Sequence, residues 1–194
     1  MNLRKDVSKA LVARGFHLWE GRSHLIRVDA DFSLGVDTGP LGKRSDIAPY
    51  VGIRHDGVQQ LRADLMGSSA NERTGTVGAN VGYVLGEEYR RWEPPSTHEE
   101  VLRVIDLALG RLRQYLSLDR LPEAWKIRGT NTPGWRYNEI AALLLKGDHQ
   151  AVLERLEAAR AEYCAYEDGV CEQFRAFEQR VNSRYFSGEK GAAK

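Results

Sequence analysis

Five polar residues in the first third of the chain are of the types that acid–base catalysis uses: His17, His24, Asp37, His55 and Asp56. Histidine changes its protonation near neutral pH, and an aspartate beside it can orient the ring and stabilise its charged form. A cluster of these side chains around a pocket would suit a small hydrolase or a nuclease-type enzyme. That alternative requires several of the five to lie within hydrogen-bonding reach of one another.

Each of these residues also has a structural explanation. His55 and Asp56 are adjacent at the end of a predicted strand, where neighbouring side chains point to opposite faces, and Asp56 can cap the helix that follows. Asp37 precedes a Gly-Pro turn, and His17 and His24 can face each other across a hairpin. We therefore expect a protein without catalytic residues and keep the enzyme as the alternative.

Motifs that bind metals or cofactors are missing from the sequence. The histidines do not form an HxxxH pair, and the two cysteines have no second pair at metal-ligand spacing. The sequence contains no P-loop, no complete dinucleotide fingerprint and no nucleophile elbow. We expect neither a metal nor a cofactor.

The segment Tyr89-Arg90-Arg91-Trp92 alternates aromatic and cationic side chains just before Pro94-Pro95. Aromatic residues and arginine are enriched among the residues that anchor protein interfaces, and they also stack on nucleic-acid bases. We predict a partner-binding surface here, with Trp135 close to it. The structural alternative is that the two aromatic residues fasten a linker to the core while the arginines stay in solvent.

The elements that position these residues change in character near Pro94-Pro95. Before this point, short apolar runs rich in β-branched and aromatic residues alternate with glycine turns, which predicts strands. After it, apolar residues recur every three or four positions, which predicts helices. We therefore predict an α+β protein: an N-terminal, mostly antiparallel sheet of about five strands with flanking helices, followed by a C-terminal helical bundle.

The predicted parts of this architecture are a sheet-forming part over residues 1–93, a helical part over 94–187 and a mobile tail over 188–194, within one domain overall. The elements expected to form them, in chain order, are a helix over 3–14, strands near 16–20, 24–28, 32–36 and 49–54, a short helix over 58–66, a glycine-containing strand over 77–85, and helices over 98–118, 136–146, 149–165 and 169–186. Ser96 or Thr97, with Glu99 or Glu100, is expected to cap the longest helix. The three glycines of residues 75–82 suggest a bulge or the close approach of another backbone.

The charge balance argues against a general nucleic-acid binder. Residues 1–93 carry 13 basic and 12 acidic side chains, and the remaining residues carry 15 of each, so the formal net charge is +1. Proteins that bind nucleic acid concentrate Lys and Arg on one face. A nucleic-acid-binding accessory protein remains the second alternative, and it would need a basic stripe built from Arg90, Arg91, Arg111, Arg113 and Lys126.

The predicted location is the cytoplasm. The N-terminus enters an amphipathic helix without the apolar core of a signal peptide, and no apolar run is long enough to cross a membrane.

The only cysteines are Cys164 and Cys171. On one continuous helix they would be about 10 Å apart, too far for a disulfide, so reduced thiols are expected unless the helix breaks at Asp168-Gly169.

Two segments of the first half carry a resemblance to a known group of proteins. They are residues 49–56, followed by a short helix that ends at Gly67, and residues 76–83. The succession resembles uncharacterised bacterial domains that are encoded beside polymorphic toxins, and it extends over about residues 15–120. Some of these domains are thought to be immunity proteins. The resemblance implies a cytoplasmic protein that binds another protein, such as a cognate toxin, and it assigns no catalytic residue.

Overall fold

The computed structural model describes residues 2–19, 23–39, 46–69, 75–130, 134–165 and 168–187. The predicted tail over 188–194 lies outside the described residues. The predicted fold class is confirmed, because an antiparallel sheet with helices in the first half precedes a helical region.

The sheet contains five strands, each antiparallel to its neighbour, in the order of the sequence. They are β1 (His17–Trp19), β2 (Ser23–Arg27), β3 (Phe32–Asp37), β4 (Tyr50–His55) and β5 (Val77–Asn80). Strands β1 and β5 therefore form the two edges. The connections from β1 to β2 and from β2 to β3 are short, whereas residues 38–49 join β3 to β4 and a helix over 56–66 lies between β4 and β5.

The two faces of the sheet differ in composition because successive side chains of a strand alternate between them. One face buries a continuous apolar set: Leu34, Val36, Val51, Ile53, Val77 and Ala79. On the other face, Leu25, Gly35, Gly52 and Gly78 lie opposite one another on β2 to β5. This glycine row carries no side chains across three adjacent strands, and the face is hollow there.

The structure corrects the prediction of a strand over residues 77–85. Strand β5 stops at Asn80, and helix α3 (Val81–Leu85) follows directly. The Asn80 side chain accepts a hydrogen bond from the backbone N–H of Gly82 at 3.0 Å, so it caps the new helix. The alternating apolar pattern does not resolve this short helix, because it is only five residues long.

The chain forms two compact units whose boundaries differ from the predicted division at residue 94. The first contains residues 1–57 and 72–135, and the second contains residues 58–71 and 136–194. The helix that follows Pro94-Pro95, α4 (His98–Leu112), packs on strand β4 and on helix α1 (Leu3–Ala13), so it belongs with the sheet. Helix α4 belongs to the first unit because its apolar stripe is buried there. The change from strand to helix pattern near residue 94 does not show this.

The remaining helices have these bounds: α2 (Asp56–Met66), α5 (Leu121–Ala124), α6 (Trp135–Lys146), α7 (His149–Tyr163) and α8 (Asp168–Val181). A 3₁₀ turn (Arg113–Tyr115) follows α4, and a π-helical segment (Asn182–Phe186) follows α8. The predicted cap of α4 is confirmed, because Thr97 accepts from the backbone of Glu100 at 3.3 Å and Glu100 accepts from that of Thr97 at 3.0 Å.

The expectation of reduced cysteines is wrong. Cys164 and Cys171 form a disulfide, with their Cα atoms 4.5 Å apart. The helix that was expected to separate them is broken, because α7 ends at Tyr163 and α8 begins at Asp168. Disulfides form and persist mainly in oxidising compartments, so the cysteines give no support to a cytoplasmic location.

Candidate interaction surface

Three tyrosines from separate parts of the first unit gather at the surface, and we call them the tyrosine surface. Tyr50 begins β4, Tyr83 lies in α3 and Tyr89 follows that helix. The ring centroids of Tyr50 and Tyr89 are 6.4 Å apart, and those of Tyr83 and Tyr89 are 6.0 Å apart, both in edge-to-face geometry. Tyr50 and Tyr89 are 43% and 45% exposed, so both rings are available to a partner.

A buried asparagine holds the segment that carries Tyr89. The Asn80 Oδ1 atom accepts from the backbone N–H of Arg90 at 2.8 Å, and its Nδ2 donates to the carbonyl oxygens of Arg90 at 2.9 Å and Pro49 at 3.3 Å. Gly82 allows this arrangement, because a Cβ atom there would lie 1.9 Å from the Glu88 carbonyl oxygen. The close backbone approach predicted from the glycine pattern is therefore present at this position.

A groove of about 600 Å³ opens beside Tyr83, and we call it the charged groove. Its polar lining includes three carboxylates and three cations: Glu87, Glu88, Glu123, Arg111, Lys126 and Arg128. Arg128 bonds Glu88 at 2.9 Å, and its guanidinium carbon lies 4.9 Å from the centroid of the Tyr83 ring. The groove therefore presents both signs of charge beside an aromatic face.

A second hollow of about 330 Å³ lies over the glycine row of the sheet, and we call it the glycine trough. Its lining includes Gly35, Gly52 and Gly78, with Tyr50 and Asp37 at its border. Tyr50 therefore contacts Tyr89 on one side and lines the trough on the other. The three tyrosines lie between two concave regions of the same unit.

The neighbouring tyrosines influence the Tyr50 hydroxyl. Partial burial raises the pKa of Tyr50, and the neighbouring hydroxyls of Tyr89 and Tyr83 raise it further. The Tyr50 hydroxyl stays protonated at neutral pH and can donate a hydrogen bond to a partner. Tyrosine suits this position because it offers a large apolar ring together with a polar end.

The predicted partner-binding segment lies at this surface only in part. Tyr89 belongs to the tyrosine surface, and Arg90 and Arg91 form ion pairs beside it, Arg90 with Glu87 at 2.5 Å and Arg91 with Asp46 at 3.5 Å. Trp92 pairs its backbone with Ile47 in an isolated β-bridge and is half-buried, as the structural alternative expects. Trp135 is half-buried at the first position of α6, outside the described lining of the charged groove.

Four of the five catalytic candidates are divided between the two faces of the sheet, and the fifth, Asp56, begins helix α2. His24 is fully buried on the apolar face, where its Nε2 atom lies 2.9 Å from the Ser8 hydroxyl of α1. His55 is buried on the same face, with its ring edge-on to Phe32 at 4.5 Å. His17 is exposed on the opposite face of β1, in register with Leu25.

The two aspartates have structural partners. Asp37 accepts from the backbone N–H of Gly39 at 2.6 Å, which is the predicted turn role, and from the Ser23 hydroxyl at 3.4 Å. Asp56 begins α2, and its two carboxylate oxygens accept from Arg54 and Arg27, each at 2.7 Å. Partial burial acts to raise the pKa of Asp56, but these two arginines outweigh it and hold the pKa below its usual value.

Within the described residues, no group of three or more His, Cys, Asp or Glu side chains is arranged to hold a metal ion. None of the helices in this part of the chain combines the length and the apolar content needed to cross a bilayer.

Comparisons with protein-family models, with curated proteins and with solved structures found no significant match.

Sequence reasoning missed two members of the tyrosine surface, Tyr50 and Tyr83. Neither residue lies in a motif, and they are brought together by the pairing of β4 with β5 and by the turn into α3. The only signal in the sequence was indirect. The glycines near residue 80 predicted a close backbone approach, and that approach places Tyr89 beside both of these residues.

Proposed function

We propose that this protein is a binding protein whose tyrosine surface receives a partner protein, and that it acts as an immunity- or antitoxin-like factor that occludes a toxin. The observation that carries the proposal is that the exposed Tyr50 and Tyr89 and the half-buried Tyr83 lie together between two hollows. Tyrosines at the centre of an interface bury a large area and lose few rotamers, so they dominate the binding energy of many complexes.

The charge pattern supports a protein partner over a nucleic acid. The arginines beside the tyrosine surface are compensated, because Arg90, Arg91 and Arg128 each pair with a carboxylate. A phosphate backbone needs uncompensated cations, since its affinity comes from neutralised phosphates. A partner protein can instead match a groove of mixed charge with its own pattern of both signs.

The chemistry of the partner follows from the two hollows. We propose a folded protein that inserts a convex segment with both acidic and basic side chains into the charged groove, and that packs apolar side chains on the tyrosines. The resemblance of residues 49–56 and 76–83 to immunity-like domains supports this choice, because those segments contain Tyr50, Tyr83 and two of the trough glycines, Gly52 and Gly78.

The test is co-expression and pull-down with the product of the neighbouring gene, followed by titration calorimetry of wild type and Tyr89→Ala. Truncation of a central interface tyrosine costs about 2 kcal/mol, so we expect Tyr89→Ala to weaken binding by about 30-fold. Tyr185→Ala is the matched control, because Tyr185 lies in the π-helical segment of the second unit.

Two results would contradict the proposal. The first is that the wild-type protein neither binds the neighbouring gene product nor protects cells that express it. The second is that Tyr89→Ala binds as tightly as the control Tyr185→Ala, which would remove the tyrosine surface from the interface.

A further inference from the structure

The second unit contains a polar cluster within its helical interior. Gln59 and Arg62 lie on α2, Tyr137 and Asn138 on α6, and Tyr163 ends α7. Four of these side chains are buried, and Arg62 is partly exposed. The rings of Tyr137 and Tyr163 are stacked with their centroids 5.4 Å apart. The cluster is therefore enclosed except at the partly exposed Arg62.

Two hydrogen bonds link Arg62, Gln59 and Asn138 in a chain, with each residue donating to the next. The Arg62 Nη1 atom donates to the Gln59 Oε1 atom at 3.4 Å, and the Gln59 Nε2 atom donates to the Asn138 Oδ1 atom at 3.1 Å. These bonds occupy one acceptor oxygen on each amide. The guanidinium makes only this one long bond among the described residues, so most of its donors are unused.

Two buried donors of this cluster have no hydrogen-bond partner among the described residues, the Nε atom of Arg62 and the hydroxyl of Tyr137. Buried polar groups in native proteins are nearly always bonded, and a buried positive charge without a partner is especially costly. A bound ion or ligand group that accepts from both donors is one arrangement that would satisfy them.

Three other arginines of this unit form ion pairs with buried or partly buried carboxylates. Arg136 and Arg155 both pair with Glu139, at 3.0 and 2.9 Å, and Arg160 pairs with Glu178. Arg62 forms no ion pair with any described carboxylate, although it is more buried than a surface arginine. Its positive charge is therefore left for something outside the chain.

The Tyr137 phenol and the Arg62 guanidinium are both protonated at neutral pH, so both can donate hydrogen bonds. Burial raises the pKa of Tyr137 to about 12, and the neighbouring Tyr163 adds to this, while Arg62 acts in the opposite direction. Burial lowers the pKa of Arg62, yet a guanidinium keeps its proton in proteins. At neutral pH the cluster therefore presents a cation and a protonated phenol.

We propose that Arg62 and Tyr137 form a binding site for an oxyanion, the carboxylate or phosphate group of a small ligand. A guanidinium offers paired N–H donors that match two oxygens of such a group, and the phenol hydroxyl supplies a further donor. The partly exposed residue Arg62 marks the side from which a ligand would enter. This site is independent of the tyrosine surface, which lies in the other unit.

The experiment measures binding of two probes, inorganic phosphate and acetate, to the full chain by titration calorimetry and by the shift of the thermal midpoint. We expect one or both to bind and to raise the midpoint, and the comparison identifies which oxyanion fits. Arg62→Gln should weaken binding by about tenfold or more, because a charge-assisted bond is lost. Arg175→Gln, at an exposed position of α8, is the matched control and should bind as the wild type does.

Tyr137→Phe provides a second variant that keeps the ring and its packing. Removal of an unsatisfied buried hydroxyl should raise the midpoint of the free protein, and the same change should weaken oxyanion binding. The proposal is overturned if neither probe binds, or if both raise the midpoint equally in wild type and Arg62→Gln. It is also overturned if Tyr137→Phe lowers the midpoint of the free protein and leaves binding unchanged, because the hydroxyl would then have another partner.

Discussion

His55 is a buried histidine that the fold holds in its neutral form. Burial lowers its pKa below the ordinary value of 6.5, and the carboxylates of Asp31, Asp56 and Asp29 oppose this shift without overcoming it. Its ring packs edge-on against Phe32, and its backbone N–H donates to the Thr76 hydroxyl at 2.8 Å. The residue thus packs within the core of the first unit.

This environment predicts a loss of stability in acid. Below pH 6.5 the unfolded chain takes up a proton at His55 that the folded protein resists, so the unfolded state binds more protons and stability falls as the pH drops. We expect the free energy of unfolding to decrease from pH 7 to pH 5, and less steeply in His55→Gln. Chemical denaturation at each pH measures this. His17→Gln, at an exposed position, should keep the wild-type slope, and an unchanged slope in His55→Gln would refute the assignment.

Gly52 of the glycine trough cannot carry a side chain without moving its neighbours. A Cβ atom there would lie 2.6 Å from the Val77 carbonyl oxygen of β5, whereas a Cβ atom at Gly110 of α4 would meet nothing within 4 Å. We expect Gly52→Ala to destabilise the protein by about 2 kcal/mol through strain between the strands, and Gly110→Ala to stabilise it by about 0.5–1 kcal/mol. Urea denaturation of both variants tests the pair, and equal effects would contradict it.

At the scale of elements, the disulfide joins two helices across a short connection. Cys164 follows α7 and Cys171 lies in the first half of α8, at a sequence separation of 7. A cross-link of this length reduces the entropy of the unfolded chain, and the entropic model assigns it about 2 kcal/mol of stability. The second unit therefore gains stability that its helices alone would not supply.

Reduction of this bond should lower the free energy of unfolding by about 2 kcal/mol. The measurement is denaturant unfolding with and without a strong reductant. The double variant Cys164→Ala/Cys171→Ala should match the reduced wild type and should not respond to the reductant. If the oxidised and reduced proteins unfold at the same denaturant concentration, the disulfide does not contribute to stability as proposed.

At the scale of the whole molecule, the positive and negative charges are nearly equal in number, and carboxylates lie among the cations of the candidate basic stripe. The chain has 28 basic and 27 acidic side chains. The candidate basic stripe is interrupted by carboxylates, because Arg90 and Arg91 are paired and Glu123 lies beside Lys126 in the groove. An even mixture of signs produces no extended positive potential of the kind that attracts nucleic acid.

We therefore expect the protein to leave the electrophoretic mobility of duplex DNA and single-stranded RNA unchanged at low salt, where non-specific binding is strongest. A shift that fades as salt is added would contradict this and would restore the nucleic-acid alternative. A Lys126→Glu variant should then abolish the shift if the groove were responsible.

The sequence by itself determined the local elements. The α+β class, four of the five strand positions and the capped helix α4 followed from apolar periodicity and from residues such as Thr97 and Glu100, whose effects are felt within a few positions of the chain. Those signals are local because hydrogen bonds of a turn or a cap join near neighbours. The sequence left open whether the helix continues through Asp168-Gly169 or breaks there, and only a break allows Cys164 to reach Cys171.

Only the tertiary structure decided which distant residues meet. The pairing of β4 with β5 and the backbone approach at Gly82 bring Tyr50, Tyr83 and Tyr89 together, and helix packing places Tyr137 near Arg62. It also divides four of the five catalytic candidates between two faces of the sheet and places the fifth, Asp56, in α2. The physical reason is that burial and strand register depend on contacts between segments far apart in the chain, and local composition does not encode them.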